Sequence, residues 1–109
     1  MLPKEFSDRF NEISSIIIGA NLMLNSYLPL AKTRQLKANY LQKLTQFIID
    51  LDSFSSSLSE EDKLKVTFLL HKLAELKQSA EQKKWQSQIE TSILVLTANT
   101  LKHEMEILQ

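Results

Sequence analysis

Apolar residues recur at steps of three and four along most of the chain, and polar interruptions divide that pattern into four stretches, each long enough for a helix. In the first stretch Phe6, Phe10, Ile13, Ile17, Ala20 and Leu24 form one line. Pro3 suits a helix start, where its missing N–H would have no partner, and Glu5 and Asp8 complement the positive end of the dipole. Ile16, Ile18, Leu22 and Met23 widen the apolar stripe beyond one face, which predicts a central helix or a second buried surface. Gly19 inside this helix costs about 1 kcal/mol relative to Ala, so a close helix crossing is expected there.

Leu28 precedes Pro29, which disfavours helical geometry at Leu28 and predicts a turn at residues 27 to 30. The second helix then places Leu36, Tyr40, Leu41, Leu44, Phe47, Ile48, Leu51 and Phe54 on one side, opposite Lys37, Gln42, Lys43 and Gln46. A polar run from Ser53 to Ser59 ends it. Ser59, followed by Glu60, Glu61 and Asp62, reads as the N-cap of a third helix with core residues Val66, Leu69, Leu70, Leu73, Leu76 and Ala80. The periodicity weakens from Lys77 to Lys84, where Ser79 and Gln82 have the spacing of a capping box and predict a new start. The fourth helix is expected to bury Trp85, Ile89, Ile93, Leu96, Leu101, Met105 and Leu108. Its run Ile93 to Leu96 is β-prone but flanked by helical spacing.

Four helices of similar length with short connections predict an all-α, antiparallel up-down-up-down four-helix bundle, one domain spanning residues 1–109. With no Gly or Pro near residue 80, the alternative is one fused third helix from 60 to 107 with helix-mediated dimerisation. A stack of two hairpins, 3–53 and 59–108, lacks residue-level similarity between its halves. Composition agrees with a folded helical chain. Leu, Ile, Val and Phe make up 35 of the 109 residues, well above the roughly 20% below which disorder is the better reading. One Gly and two Pro leave too little punctuation for sheets.

The chemistry-bearing residue types are sparse. The absence of Cys removes disulfides, thiolate nucleophiles and thiolate metal sites. His71 lacks the His-x-x-Lys-Gly pattern of phosphorelay domains, since Ala74 and Glu75 stand at the last two positions. Di-metal carboxylate bundles carry a Glu three residues before each His, but Phe68 and Thr100 precede His71 and His103. A single Gly cannot form a phosphate-cradling loop, and the serine run lacks the Gly-flanked turn of a nucleophile. No catalytic, cofactor-binding or metal-ligating residue is therefore expected. Trp85, Tyr27 and Tyr40 are either bundle core or interface anchors.

Charge adds a pattern, although the total is neutral. No acidic residue occurs from Ile13 to Ile49, a window holding Lys32, Arg34, Lys37 and Lys43. In an antiparallel bundle Lys32, Arg34 and Lys37 gather with Lys72, Lys77, Lys83 and Lys84 at one end, against Glu75 and Glu81, while most carboxylates fall at the other. Lys43 and Glu90 lie between the poles. Lys32, Arg34, Lys83 and Lys84 then sit at helix starts, against dipole preference. The function expected is a non-enzymatic protein-protein interaction module: an adaptor, a chaperone-like binder or a helical subunit of an assembly. Its partner-binding residues are Lys32, Arg34, Lys37, Lys83 and Lys84 at the basic end and Ile16, Ile18 and Met23 on the first helix, through which the chain could also form a homodimer. The alternative is a nucleic-acid-associated regulator using the basic end. The charged segment Met1 to Phe10 has no apolar core of a secretory signal, and Ile16 to Leu24 is too short and interrupted to span a membrane. A cytoplasmic protein is expected, with no membrane insertion.

Overall fold

The computed structural model describes residues 1–24 and 29–109. They form four α-helices: α1 (Lys4–Met23), α2 (Leu30–Ser55), α3 (Glu60–Gln82) and α4 (Gln88–Ile107). No strand occurs among the described residues. Each helix packs against the next in sequence, α4 returns to α1, and neither diagonal pair meets. The Leu2 N–H donates to the Leu108 carbonyl at 2.8 Å, which sets the start of α1 beside the end of α4. Phe6 and Phe54 stack with centroids 5.2 Å apart, and the Lys37 ammonium donates to the Glu81 carbonyl at 2.7 Å. Neighbouring helices are thus antiparallel throughout, in a bundle 48 Å long and 20 Å across.

Local chemistry sets the helix starts. Pro3 and Pro29 occupy N-cap positions with φ of −59° and −61°, the angle that the ring imposes in any case. Of the turn expected at 27–30, residues 27 and 28 lie outside the described residues, as Tyr27 therefore does; Leu30 already belongs to α2. Ser59 caps α3, its hydroxyl accepting from the Asp62 N–H at 3.3 Å, with Glu60, Glu61 and Asp62 in the first turn as expected.

The core takes its α1, α2 and α3 residues from the predicted lines. Phe10, Ile13, Ile17 and Ala20 are buried in one cluster with Tyr40, Leu44, Phe47 and Leu51, with Val66, Leu69, Leu73 and Leu76, and with the inner residues of α4. Gly19 does not mark a close crossing, because a Cβ built there meets nothing within 4 Å. It sits on the unpacked side of α1 in ordinary helical geometry. Gly19→Ala is therefore expected to stabilise the bundle by up to about 1 kcal/mol through helix propensity. A urea transition followed by circular dichroism should show a higher midpoint with unchanged slope; a lower midpoint would contradict the open surroundings.

Helices α3 and α4 are separate, which excludes the fused alternative, but the break lies beyond the expected point. Ser79 and Gln82 remain inside α3, and the chain leaves the helix at Lys83, which is extended (φ −84°, ψ 147°). Trp85 then adopts φ 59° in the left-handed region, and α4 starts after Ser87, whose hydroxyl accepts from the Glu90 N–H at 3.3 Å. The side chain of Trp85 explains why an unfavoured backbone angle is held without glycine. A left-handed non-glycine residue costs on the order of 1–3 kcal/mol. Burying an indole of about 200 Å² stabilises by roughly 5 kcal/mol at 25 cal/mol per Å². The Trp85 ring is fully buried, lies edge-on to Tyr40 at 5.5 Å, and donates from Nε1 to the Ala80 carbonyl at 3.2 Å. Burial outweighs the strain, and Trp85 pins the reversal.

The largest departure from the expected core is in α4. Ile89, Ile93 and Leu96 face outward, and the inner line is Thr91, Leu94, Ala98, Leu101 and Met105, with Leu108 half-buried at the end. Only the later residues of the expected set, with Trp85 ahead of the helix, are inside. Asn21 of α1 fixes this rotation: its side-chain amide donates to the Thr91 hydroxyl at 2.7 Å and the Ser92 hydroxyl at 3.0 Å, and the Gln88 side chain donates to the Asn21 carbonyl at 3.2 Å.

Candidate interaction surface

The basic end assembles, but much of it has structural work. Lys83 and Lys84 do not sit at a helix start; they follow α3, where the carbonyl end of the dipole favours cations. Lys37 reaches across from α2 and donates to the Glu81 and Lys83 carbonyls, acceptors that the end of α3 leaves without helical partners. Glu90 lies at this same end rather than between the poles. Its carboxylate accepts from the backbone N–H groups of Lys84 at 3.3 Å and Gln86 at 3.4 Å and from the Ser87 hydroxyl at 3.4 Å. Lys72 belongs to neither pole, since it pairs at 2.7 Å with Glu104 of the acidic end. Lys32 and Arg34, exposed in the first two turns of α2, are the cations whose position still runs against the dipole.

Desolvation is the largest single influence on the Glu90 carboxyl and pushes it up. The N–H groups of Lys84 and Gln86, the Ser87 hydroxyl and the Lys83 charge together outweigh it and hold the group below its usual range. The sign of the pH effect follows. A depressed folded-state pKa contributes stability that is present above the ordinary carboxylate range and lost as pH falls through the depressed value. Protection of the Lys84 and Gln86 amides against exchange, normalised for intrinsic rate, is expected to fall in that acid window. Glu90→Gln should weaken protection at neutral pH, and equal protection in both proteins would refute this role.

At the other end, Arg9 lies over the Phe47 ring at 5.4 Å and pairs with Asp50 at 2.9 Å. The Gln46 amide and then this guanidinium hold the Asp50 carboxyl below its usual range. Inside the bundle, burial pushes the Tyr40 phenol up. Tyr40 and Trp85 are thus core residues and not exposed anchors.

The first-helix residues do not share one face. Ile16 and Ile18 are two residues, about 200°, apart around the helix. Ile16 is half-buried and packs against the core, one heptad on from Arg9, which faces α2. Ile18 stands on the opposite margin, near the line of Asn21 that faces α4. Met23 is one heptad beyond Ile16 and exposed. Of the residues that widen the apolar girth of α1, only Ile16 packs against the core, and Ile18, Leu22 and Met23 are exposed.

A line of exposed residues, apolar at four of its six positions, runs along α4. Ile89, Ile93, Leu96, Thr100, His103 and Ile107 follow steps of four and three, the a/d spacing of a coiled-coil seam, and all six are exposed. Ile89 is 76% exposed, Leu96 67% and Ile107 69%. Beside Ile107, in a groove shared with Leu69 and Leu108, stands Phe68 of α3, 62% exposed. A signal for this line is present in the sequence: the expected α4 core steps from Leu96 to Leu101, five residues, where a single helical stripe would step three or four.

Among the described residues, no three His, Asp or Glu side chains converge as a metal site would require, and no helix is long and apolar enough to cross a membrane. Comparison with known protein families, curated proteins and solved structures found no match.

Proposed function

We propose that this chain is a cytoplasmic, non-enzymatic interaction module whose docking surface is the outer face of α4. The observation that carries this reading is the second heptad line of Ile89, Ile93, Leu96 and Ile107, presented to solvent by a helix whose inner line already fills the core. Large aliphatic residues scattered singly on a surface need no explanation. Three of them in register over two turns, with Ile107 three turns further along the same line, match the pattern by which one helix accepts another. The basic end is the weaker surface, because Lys37, Lys83 and Lys84 serve the end of α3.

Site-specific photocrosslinking in the native cells tests the proposal. A photoreactive residue in place of Leu96 should give a discrete adduct, and one in place of His71, exposed on α3, should not. Adducts of equal yield from both positions, or none from Leu96, would refute the docking role. Duplex binding at low salt, abolished by removing Lys32, Arg34, Lys83 and Lys84 together, would replace it with the nucleic-acid reading.

A further inference from the structure

We infer that the occupant of the α4 seam is a second copy of this chain, bound antiparallel across a two-fold axis; the inference rests on the docking role proposed above. Three observations converge on it. First, the seam is self-complementary when reversed. Its midpoint lies at Ala98, so a second copy running the opposite way sets Ile89 against Ile107, Ile93 against His103 and Leu96 against Thr100, each pair once on either side of the axis. Neither His103 nor Thr100 then faces its own kind, and each lies against an aliphatic side chain. Phe68, beside Ile107, would close over Ile89 of the second copy, the most exposed large apolar residue among the described residues.

Second, charge selects the direction. Lys83 and Lys84 precede the Ile89 end of the seam and outnumber Glu90 there, whereas at the Ile107 end Glu106 and the α3 start Glu60 and Glu61 outnumber Lys65, which lines the groove beside Ile107 and pairs with Glu61. Antiparallel pairing sets the lysines of one copy toward the carboxylates of the other. Parallel pairing sets the excess charge of each end against the same excess in the other copy. Third, the face is large enough. The seam runs about 27 Å at 1.5 Å per residue along a bundle 48 Å by 20 Å, room for the roughly 800 Å² per partner of a stable interface.

Sedimentation and crosslinking test this. The purified protein should sediment at twice the 12.6 kDa chain mass as concentration rises from about 1 µM toward about 1 mM. Leu96→Glu, at a site 67% exposed in the single chain, should keep helicity and melting behaviour when dilute while weakening association at least about thirtyfold. The chain has no native Cys, so Ile89→Cys and Ile107→Cys report direction. A mixture of the two single variants should oxidise chiefly to the mixed disulfide. A monomer at every concentration, or rapid self-crosslinking of Ile89→Cys alone, would overturn the antiparallel dimer. The photocrosslink from Leu96 separates the two proposals: an adduct of twice the chain mass supports the second copy, one of any other mass overturns it while leaving the docking role intact, and no adduct overturns both.

Discussion

Trp85→Ala is expected to destabilise the bundle by about 3–5 kcal/mol, a large part of the 5–15 kcal/mol that typically holds a domain folded, and to lower its melting temperature by roughly 15 °C or more. The substitution empties the space beneath the α3–α4 reversal, removes the edge-on contact with Tyr40, and leaves the Ala80 carbonyl without its indole donor. It also removes the burial that offsets the left-handed backbone at φ 59°. A comparison within the experiment isolates that last effect. Glycine adopts this angle freely, whereas alanine retains a penalty on the order of 1 kcal/mol. Trp85→Gly should therefore be the more stable of the two, although both fall well below the native protein. Urea unfolding followed by circular dichroism measures both. If the alanine variant equals or exceeds the glycine variant, the reversal does not depend on the left-handed residue.

The second large effect distinguishes the two apolar lines of α4. Leu94→Ala should cost about 2–5 kcal/mol, because Leu94 is wholly buried and its truncation leaves a cavity among packed neighbours. Leu96→Ala, two residues away, should change stability by no more than about 0.5 kcal/mol in dilute solution, where the seam is unoccupied. At high concentration the difference narrows, because self-association stabilises the native protein by mass action and Leu96→Ala weakens that association. If Leu96→Ala were the more damaging when dilute, the rotation of α4 and both proposals built on it would be wrong.

That contrast shows how much of the molecule was legible beforehand. In α2 and α3 the apolar line coincides with the buried line, because polar residues occupy most of the opposite face, and in α1 the expected line is also the buried one although Ile18, Leu22 and Met23 lie outside it. The second helix is the clearest case, with Leu44, Phe47 and Leu51 inside and Gln42, Lys43 and Gln46 outside. Ser59 was legible for a local reason, since a hydroxyl ahead of three acidic residues can serve only the helix that follows. In α4 hydrophobicity pointed the wrong way. The inner line contains Thr91 and Ala98, and the outer line holds the bulkier Ile89, Ile93 and Leu96. On the surface, the periodicity of α1 drew attention to Ile16, Ile18 and Met23, which the fold spreads over different sides of that helix, and did not show the second line on α4.

Sequence alone determined the helical class, the approximate extents of the first two helices, three of the four inner faces and the cap of α3, because each depends on spacing or on groups within one turn of each other, while it left open whether the third and fourth helices were fused. Tertiary structure decided the rest. The rotation of α4 depends on Asn21 reaching Thr91 and Ser92, about seventy residues away in sequence. The site of the last reversal depends on an indole finding Tyr40 and the Ala80 carbonyl rather than on any residue that breaks helices. The use of Lys37 depends on the end of α3 arriving beside the start of α2. Each of these needs two distant segments to be in place, and a periodicity read along one segment carries no information about the other.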